Sequence, residues 1–177
     1  MKSTKWISDP LHSEISFKIR HLMISNVAGR LQKFSVTVDS SDDDFTSISK
    51  VDFTADVNSI STDNETRDAH LKSEDFFDAS TYPQIKFTAD HFHGAGTERK
   101  LHGNLTIRDI TLSVLVDVEY GGVVTDGYGQ TKAGFTISAK ISRKDFGLVW
   151  NATTETGGIV AGDDVKIQGE IQLVKAP

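Results

Sequence analysis

A two-residue rhythm of apolar side chains, restarted again and again along the chain, constrains the fold more than any other feature. Ile15, Phe17 and Ile19 fall on every second position of HSEISFKIRH. The spacing recurs at Phe34, Val36 and Val38, at Val51, Phe53, Ala55 and Val57, and at Ile85, Phe87 and Ala89. It continues through Leu101 to Ile107, Leu112 to Val118, Phe135 to Ile141 and Val165 to Leu173. Successive side chains of a strand point to opposite faces, so each run places one apolar row on one side. With a weaker opening strand at Trp6 and Ile7, there are about nine candidate strands.

Turn residues fall between the runs: Ser40 to Asp44, Gly94 to Gly96, Gly121 to Gly129, Gly157 with Gly158, and Gly162 to Asp164. Such short connections imply antiparallel pairing. One segment breaks the rhythm. Thr62 and Glu65 have capping-box spacing, and DNETRDAHLKSEDFF reads as one short helix near residues 62–77, with Leu71, Phe76 and Phe77 as its apolar contacts.

The fold class is therefore all-β with one inserted helix. A sandwich and a closed barrel both fit, and closure removes edges along which other chains add, which favours an antiparallel β-barrel of about eight strands. The inward rows mix large residues (Phe17, Phe34, Phe53, Phe87, Phe135) with small ones (Ala55, Ala89, Gly103, Ala139, Gly169). A barrel of this size either fills its lumen with side chains or holds one small ligand. The small inward residues suggest that space is left.

The 177 residues suit one domain, 1–177, whose core removes roughly 70% of the unfolded surface from water. The absence of cysteine rules out disulfides, thiolate metal sites and cysteine nucleophiles. The 25 acidic residues outnumber the 19 basic ones, and the basic ones are scattered along the chain, so no nucleic-acid partner is expected. MKSTKWISDP reaches Pro10 before any apolar run, so it has no signal-peptide core, and no stretch has the ~18 apolar residues of an integral membrane helix. A cytoplasmic protein is expected, or a periplasmic one if a leader has been removed.

Several elements, in order, resemble the YceI-like family: Trp6, Asp9-Pro10-Leu11-His12-Ser13, Phe17, His21-Leu22, Gly29, Asp68-Ala69-His70-Leu71 and Asp75-Phe76-Phe77-Asp78. Tyr82-Pro83, Phe87, Gly103, Leu105-Thr106-Ile107-Arg108 and Arg143-Lys144-Asp145-Phe146-Gly147 extend the likeness nearly to the end. Leu31 stands where that family has an aromatic, and Asp109 where it has glycine before the next strand. Asp tolerates a left-handed backbone, so the turn survives. The resemblance implies a lipocalin-like barrel that binds a long isoprenoid or lipid (an isoprenoid quinone, a polyprenyl chain or a fatty amide) without chemistry and without a cofactor. It also points to a homodimer, although no self-complementary apolar stripe requires one.

On this reading Phe17, Ile19, Phe34, Val36, Phe53, Phe87, Leu105, Val114, Phe135 and Ile137 line the lumen. His21 continues the inward parity of Ile15 to Ile19, and Arg143 that of Phe135 to Ile141, so the two are candidates to meet a ligand's head group. Each serves equally as a structural residue bonded to loop carbonyls or to Asp145 or Asp68. Phe76 and Phe77 are a candidate gate, or plain helix-to-barrel packing. The alternatives are a ligand-free structural or interaction barrel, or a metal-dependent enzyme built on surface histidines.

The enzymatic signals are thin. His12 and His21 differ by an odd number of positions and on one continuous strand face opposite ways. His91 and His93 have a metal-binding spacing, with His102 nearby, but no evident third ligand, so no metal is expected. Asp9, His12 and Ser13 supply triad residue types without a nucleophile elbow. Asp68 and His70 lie two apart on a helix and do not face each other. Asp42 to Asp44 lacks the glycine and glutamate of a calcium loop.

Overall fold

Alternating rows bury themselves only if the sheet curls until its apolar face meets itself, and here the ladder closes. The computed structural model describes residues 2–94, 96–151 and 161–177. Its strands are β1 (Thr4–Ser8), β2 (Glu14–His21), β3 (Ser25–Leu31), β4 (Phe34–Ser40), β5 (Ile48–Asp56), β6 (Ile60–Ser61), β7 (Gln84–His93), β8 (Glu98–Ile107), β9 (Ile110–Thr125), β10 (Thr131–Ser142) and β11 (Ala161–Lys175). Antiparallel pairing runs β1-β4-β5-β7-β8-β9-β10-β11 and returns from β11 to β1, an eight-stranded closed barrel.

The wall between β11 and β5 is made of broken strands. β11 pairs with β1 through Leu173 to Lys175 and with β2 through Ala161 to Glu170. At the break, Ser13 Oγ donates to the Gln172 carbonyl and accepts from the Gln172 amide at 3.0 Å, standing in for the missing ladder bonds. Asp9 accepts from the Leu11 amide and pairs with His12 Nδ1 at 2.8 Å in the same turn. The triad residue types are thus turn chemistry. Because the break lies between His12 and His21, the parity argument relating them does not apply.

Register slips reset the rhythm, two of them on β7 and β9–β10. Register slips between Ala89 and Phe92, bringing Phe92 inward beside Leu101, and slips again at Phe135, where Gly121 is the extra residue. The segment expected to be a turn from Gly121 is therefore strand as far as Thr125, and the turn occupies 126–130. At the β8–β9 hairpin the left-handed residue is Arg108 (φ 55°), with Asp109 on the ordinary side. The turn expected at Gly157 and Gly158 lies outside the described residues.

The helix α1 spans Glu65–Lys72, shorter than the 62–77 expected. Asn64, whose side chain accepts from the Arg67 amide, caps it in place of Thr62. Thr62 instead donates from both its amide and hydroxyl to Asp68, which ties the helix to the barrel edge. None of the helix's own residues is buried, and Phe76 and Phe77 follow it in a turn.

Candidate functional site

Whether the lumen is filled or hollow depends on where the large rings lie. A Cβ built on Gly29 would sit 2.4 Å from Phe17 Cζ, and one on Gly103 2.4 Å from Phe87 Cζ. The inward glycines do not themselves leave the space expected of them. They let the rings of Phe17 and Phe87 lie flat against the wall instead of projecting across the axis. Gly169 does the same for Ile15 and Ile137.

What stays open is a cavity of about 260 Å³ along the barrel axis. Its lining includes Phe17, Ile19, Val36, Phe53, Phe87, Leu105, Val114, Phe135 and Ile137. Ser16 and Arg143 are the only lining residues with polar side chains among the described residues. Phe34 does not line it; its ring packs 5.9 Å from Phe53 near the rim. Phe92, Leu71 and Leu148 do line it. Sequence reading missed Phe92 because the bulge broke its parity, and Leu148 because it comes from a loop.

One end is plugged. Phe45, fully buried in the 41–47 turn at φ 58°, packs on Trp6 (centroids 4.8 Å), Phe135 (5.0 Å) and Tyr120 (5.8 Å). The Arg99 guanidinium lies 4.6 Å from the Tyr120 ring and donates to the carbonyls of Asp44 (2.7 Å), Phe45 and Gly96. Burial and nearby Asp44 raise the Tyr120 phenol, with Arg99 opposing them. Phe45 sits amid serines and aspartates, where only its apolarity could have marked it out.

The other end is the mouth. Arg143 lies in a 3₁₀ turn, Arg143–Phe146, immediately after β10, and its side chain is buried against the cavity. Nε donates to Gly162 O (2.8 Å) and Nη1 to Leu148 O (2.6 Å) and Trp150 O (2.7 Å). Nη2 has a 3.4 Å bond to Ala161 O and lies 4.0 Å from Asp163. Burial pushes the guanidinium down while Asp163 pulls it back, and arginine stays charged. His21 ends β2 half-buried, opposite Ala161, outside the cavity lining. The structure thus brings Arg143 to the lumen and leaves His21 on the rim.

Phe76 and Phe77 both line the mouth. Phe76 is held between His70 (5.1 Å) and Trp150 (5.4 Å), whereas Phe77 is half-exposed. Lumen residues of β2, β10 and β11 pass from buried near the plug (Ile15, Phe135, Leu173) to half-exposed near the mouth (Ile19, Ile141, Val165). On β7 and β8 the lumen residues at the rim, Ile85 and Ile107, are buried. Solvent therefore reaches the lumen from the β2–β11–β10 side.

On the outer wall the rings of His91, His93 and His102 come together, with centroids 4.3 and 5.1 Å apart, and His91 pairs with Asp90. No group of three His, Asp or Glu side chains among the described residues converges where a metal ion could sit. No helix among them is long and apolar enough to cross a membrane.

A family model described as the YceI-like domain matches residues 6–173. A UPF0312 protein of Staphylococcus epidermidis is 38% identical over 171 residues, covering 96% of this chain and 97% of its own. A YceI protein of Campylobacter jejuni superposes with a TM-score of 0.76 at 33% identity, covering 89% of this chain and 90% of that one. A polyisoprenoid-binding domain from Saccharophagus degradans shares the fold, with a TM-score of 0.71 at 12% identity over 97% of this chain and 98% of that one.

Proposed function

The chain belongs to the YceI-like family, and from that premise we propose that it binds and carries a long amphiphile of the isoprenoid or lipid class in its lumen, without chemistry. The observation that carries this reading is a cavity running from an aromatic plug to a half-exposed mouth, with one charged group among the described residues of its wall. A polyisoprenoid is what the Saccharophagus fold-mate is named for, and the same kind of tail suits a lumen of Val, Ile, Leu and Phe. The eight residues from Phe135 to Ser142 of β10 cover about 27 Å along a strand tilted by roughly 40°. A longer tail has to bend or protrude.

Phe17, Ile19, Val36, Phe53, Phe87, Leu105, Val114, Phe135 and Ile137 would contact the tail. The polar end would meet Arg143 at Nη2, the edge least committed to carbonyls, with His21 on the neighbouring rim. Phe77, half-exposed, is better placed than stacked Phe76 to move aside as a gate.

Mass spectrometry of a solvent extract from freshly purified protein tests the proposal directly. A prenyl-type or fatty species is expected. A ladder of quinones or prenols of increasing length should then bind about fourfold more tightly per added methylene, from ~0.8 kcal/mol each, until the lumen is full. A blank extract together with no binding of added ubiquinone or prenols sinks the carrier reading.

A further inference from the structure

Lysines that are scattered in sequence form a row in the fold. Lys18 on β2 is registered with Lys166 on β11, and Lys166 with Lys140 on β10, all exposed on the outer wall. Like charges directly opposite one another weaken a sheet. Arg20 and Lys144 extend the row toward the mouth. Facing them are Asp164, paired with Lys140 at 3.2 Å, Asp163, paired with Lys144 at 3.3 Å, and exposed Asp145. Among the described residues Lys18, Arg20 and Lys166 have no carboxylate at ion-pairing distance.

Toward the plug the same wall reverses sign. Glu14 is registered with Glu170, and Glu98 with Glu119. The chain as a whole carries −6, so the basic band at the mouth is a local exception.

At the end of that band the β2–β3 hairpin projects three apolar residues. Leu22, Met23 and Ile24 are exposed, Ile24 by 78%. Leu22 and Met23 both hold left-handed backbone (φ 52° and 61°), a conformation for which such hairpins ordinarily use Asn and Gly. Arg20 braces the tip by donating to Met23 O at 2.7 Å. Strain kept in order to display bulky apolar side chains in water is a mark of use. The α1 side of the mouth, with Glu65, Asp68, Glu74, Asp75 and Asp78 against Arg67 and Lys72, offers no such surface.

We propose that the β2–β3 tip and the Lys18–Lys166–Lys140 row dock the open side of the barrel onto an anionic lipid surface, with Leu22, Met23 and Ile24 entering the interface. Basic side chains near an apolar tip suit the headgroup region of such a membrane. The acidic plug end then points away, so the molecule docks in one orientation with its mouth at the lipid. Docking is independent of what the lumen holds and is measured without any lumen ligand.

Flotation of the full chain with phosphatidylglycerol–phosphatidylcholine vesicles, and with phosphatidylcholine alone, tests the proposal. Binding is expected on the anionic vesicles at low salt and its loss at high salt. Lys18→Gln and Lys166→Gln should each weaken it roughly fivefold, while Glu14→Gln with Glu170→Gln should not weaken it. The double variant Leu22→Asn, Met23→Gly should raise the melting temperature and yet bind vesicles about tenfold more weakly, a combination that separates docking from folding.

Vesicle binding untouched by these substitutions overturns the proposal. So does binding of duplex DNA in place of vesicles, which would assign the lysines to a polyanion. Self-association abolished by Leu22→Asn, Met23→Gly, with no vesicle binding, would assign the tip to a second copy and overturn it too.

Discussion

The two ends of this barrel use the same device to opposite effect. Each buries an arginine whose guanidinium is spent on backbone carbonyls, most of them in connecting loops: Arg99 on Asp44, Phe45 and Gly96, and Arg143 on Leu148, Trp150 and Gly162. At the plug, rings of Phe92 and Tyr120 flank Arg99, and it does not reach the cavity. At the mouth no ring among the described residues lies over Arg143, which forms part of the wall. Both loops are pinned, because a buried guanidinium holds its carbonyls only in one arrangement. What differs among the described residues is the aromatic seal over the guanidinium.

Truncating each end's key ring tests that contrast most severely. Phe45→Ala removes a fully buried ring packed on three others and should cost about 3–5 kcal/mol in urea denaturation. Phe77→Ala removes a half-exposed ring and should cost roughly 1 kcal/mol, while speeding release of a bound tail. Equal costs would mean that the mouth is packed as tightly as the base, and the contrast would fail.

A smaller effect sharpens the account of the hollow between the ends. At Gly29 the atoms nearest an added Cβ all belong to the Phe17 ring, which can swing, whereas at Gly103 the Thr88 carbonyl is also 2.4 Å away. Gly29→Ala should therefore fold, at a cost of about 1–2 kcal/mol, with Phe17 driven toward the axis. Tail affinity should fall by roughly tenfold, since about two methylenes' worth of contact is lost. Gly103→Ala should be destabilised more. If Gly29→Ala bound tails as well as the parent, the wall-hugging role of Phe17 would be wrong.

These particulars also explain what the sequence could disclose. Period two exposed the strands and the closed barrel, because alternation survives wherever the ladder is regular. It failed where the ladder is not: the bulges that admit Phe92 and carry β9 beyond Gly121, the break that separates His12 from His21, and Phe34 at a strand start. Phe45 and Leu148 come from loops, whose side-chain directions follow no period. The lysine row was invisible for a different reason, since 18, 140 and 166 are neighbours only through registers that the whole barrel sets.

The finest probe of the two ends is acid. Asp42 braces the turn that carries Phe45: it accepts from the Thr46 amide at 2.9 Å and from the Thr46 hydroxyl. Burial pushes its carboxyl up, but the bonds from Thr46, Ser47 and Ser40 outweigh that and hold it below the usual carboxylate range. A carboxylate with a depressed folded value stabilises the fold above its unfolded value, near pH 4, and the benefit is lost as pH falls through the folded one. The plug end should therefore loosen in acid, while the guanidinium anchor at the mouth does not titrate. Melting curves between about pH 5 and pH 2.5 check this, because Asp42→Asn should lower the melting temperature at pH 5 and narrow the gap to the parent toward pH 2.5. A gap that stays constant with pH would mean that the Asp42 charge does not hold the turn, leaving the Phe45 rings alone to seal that end.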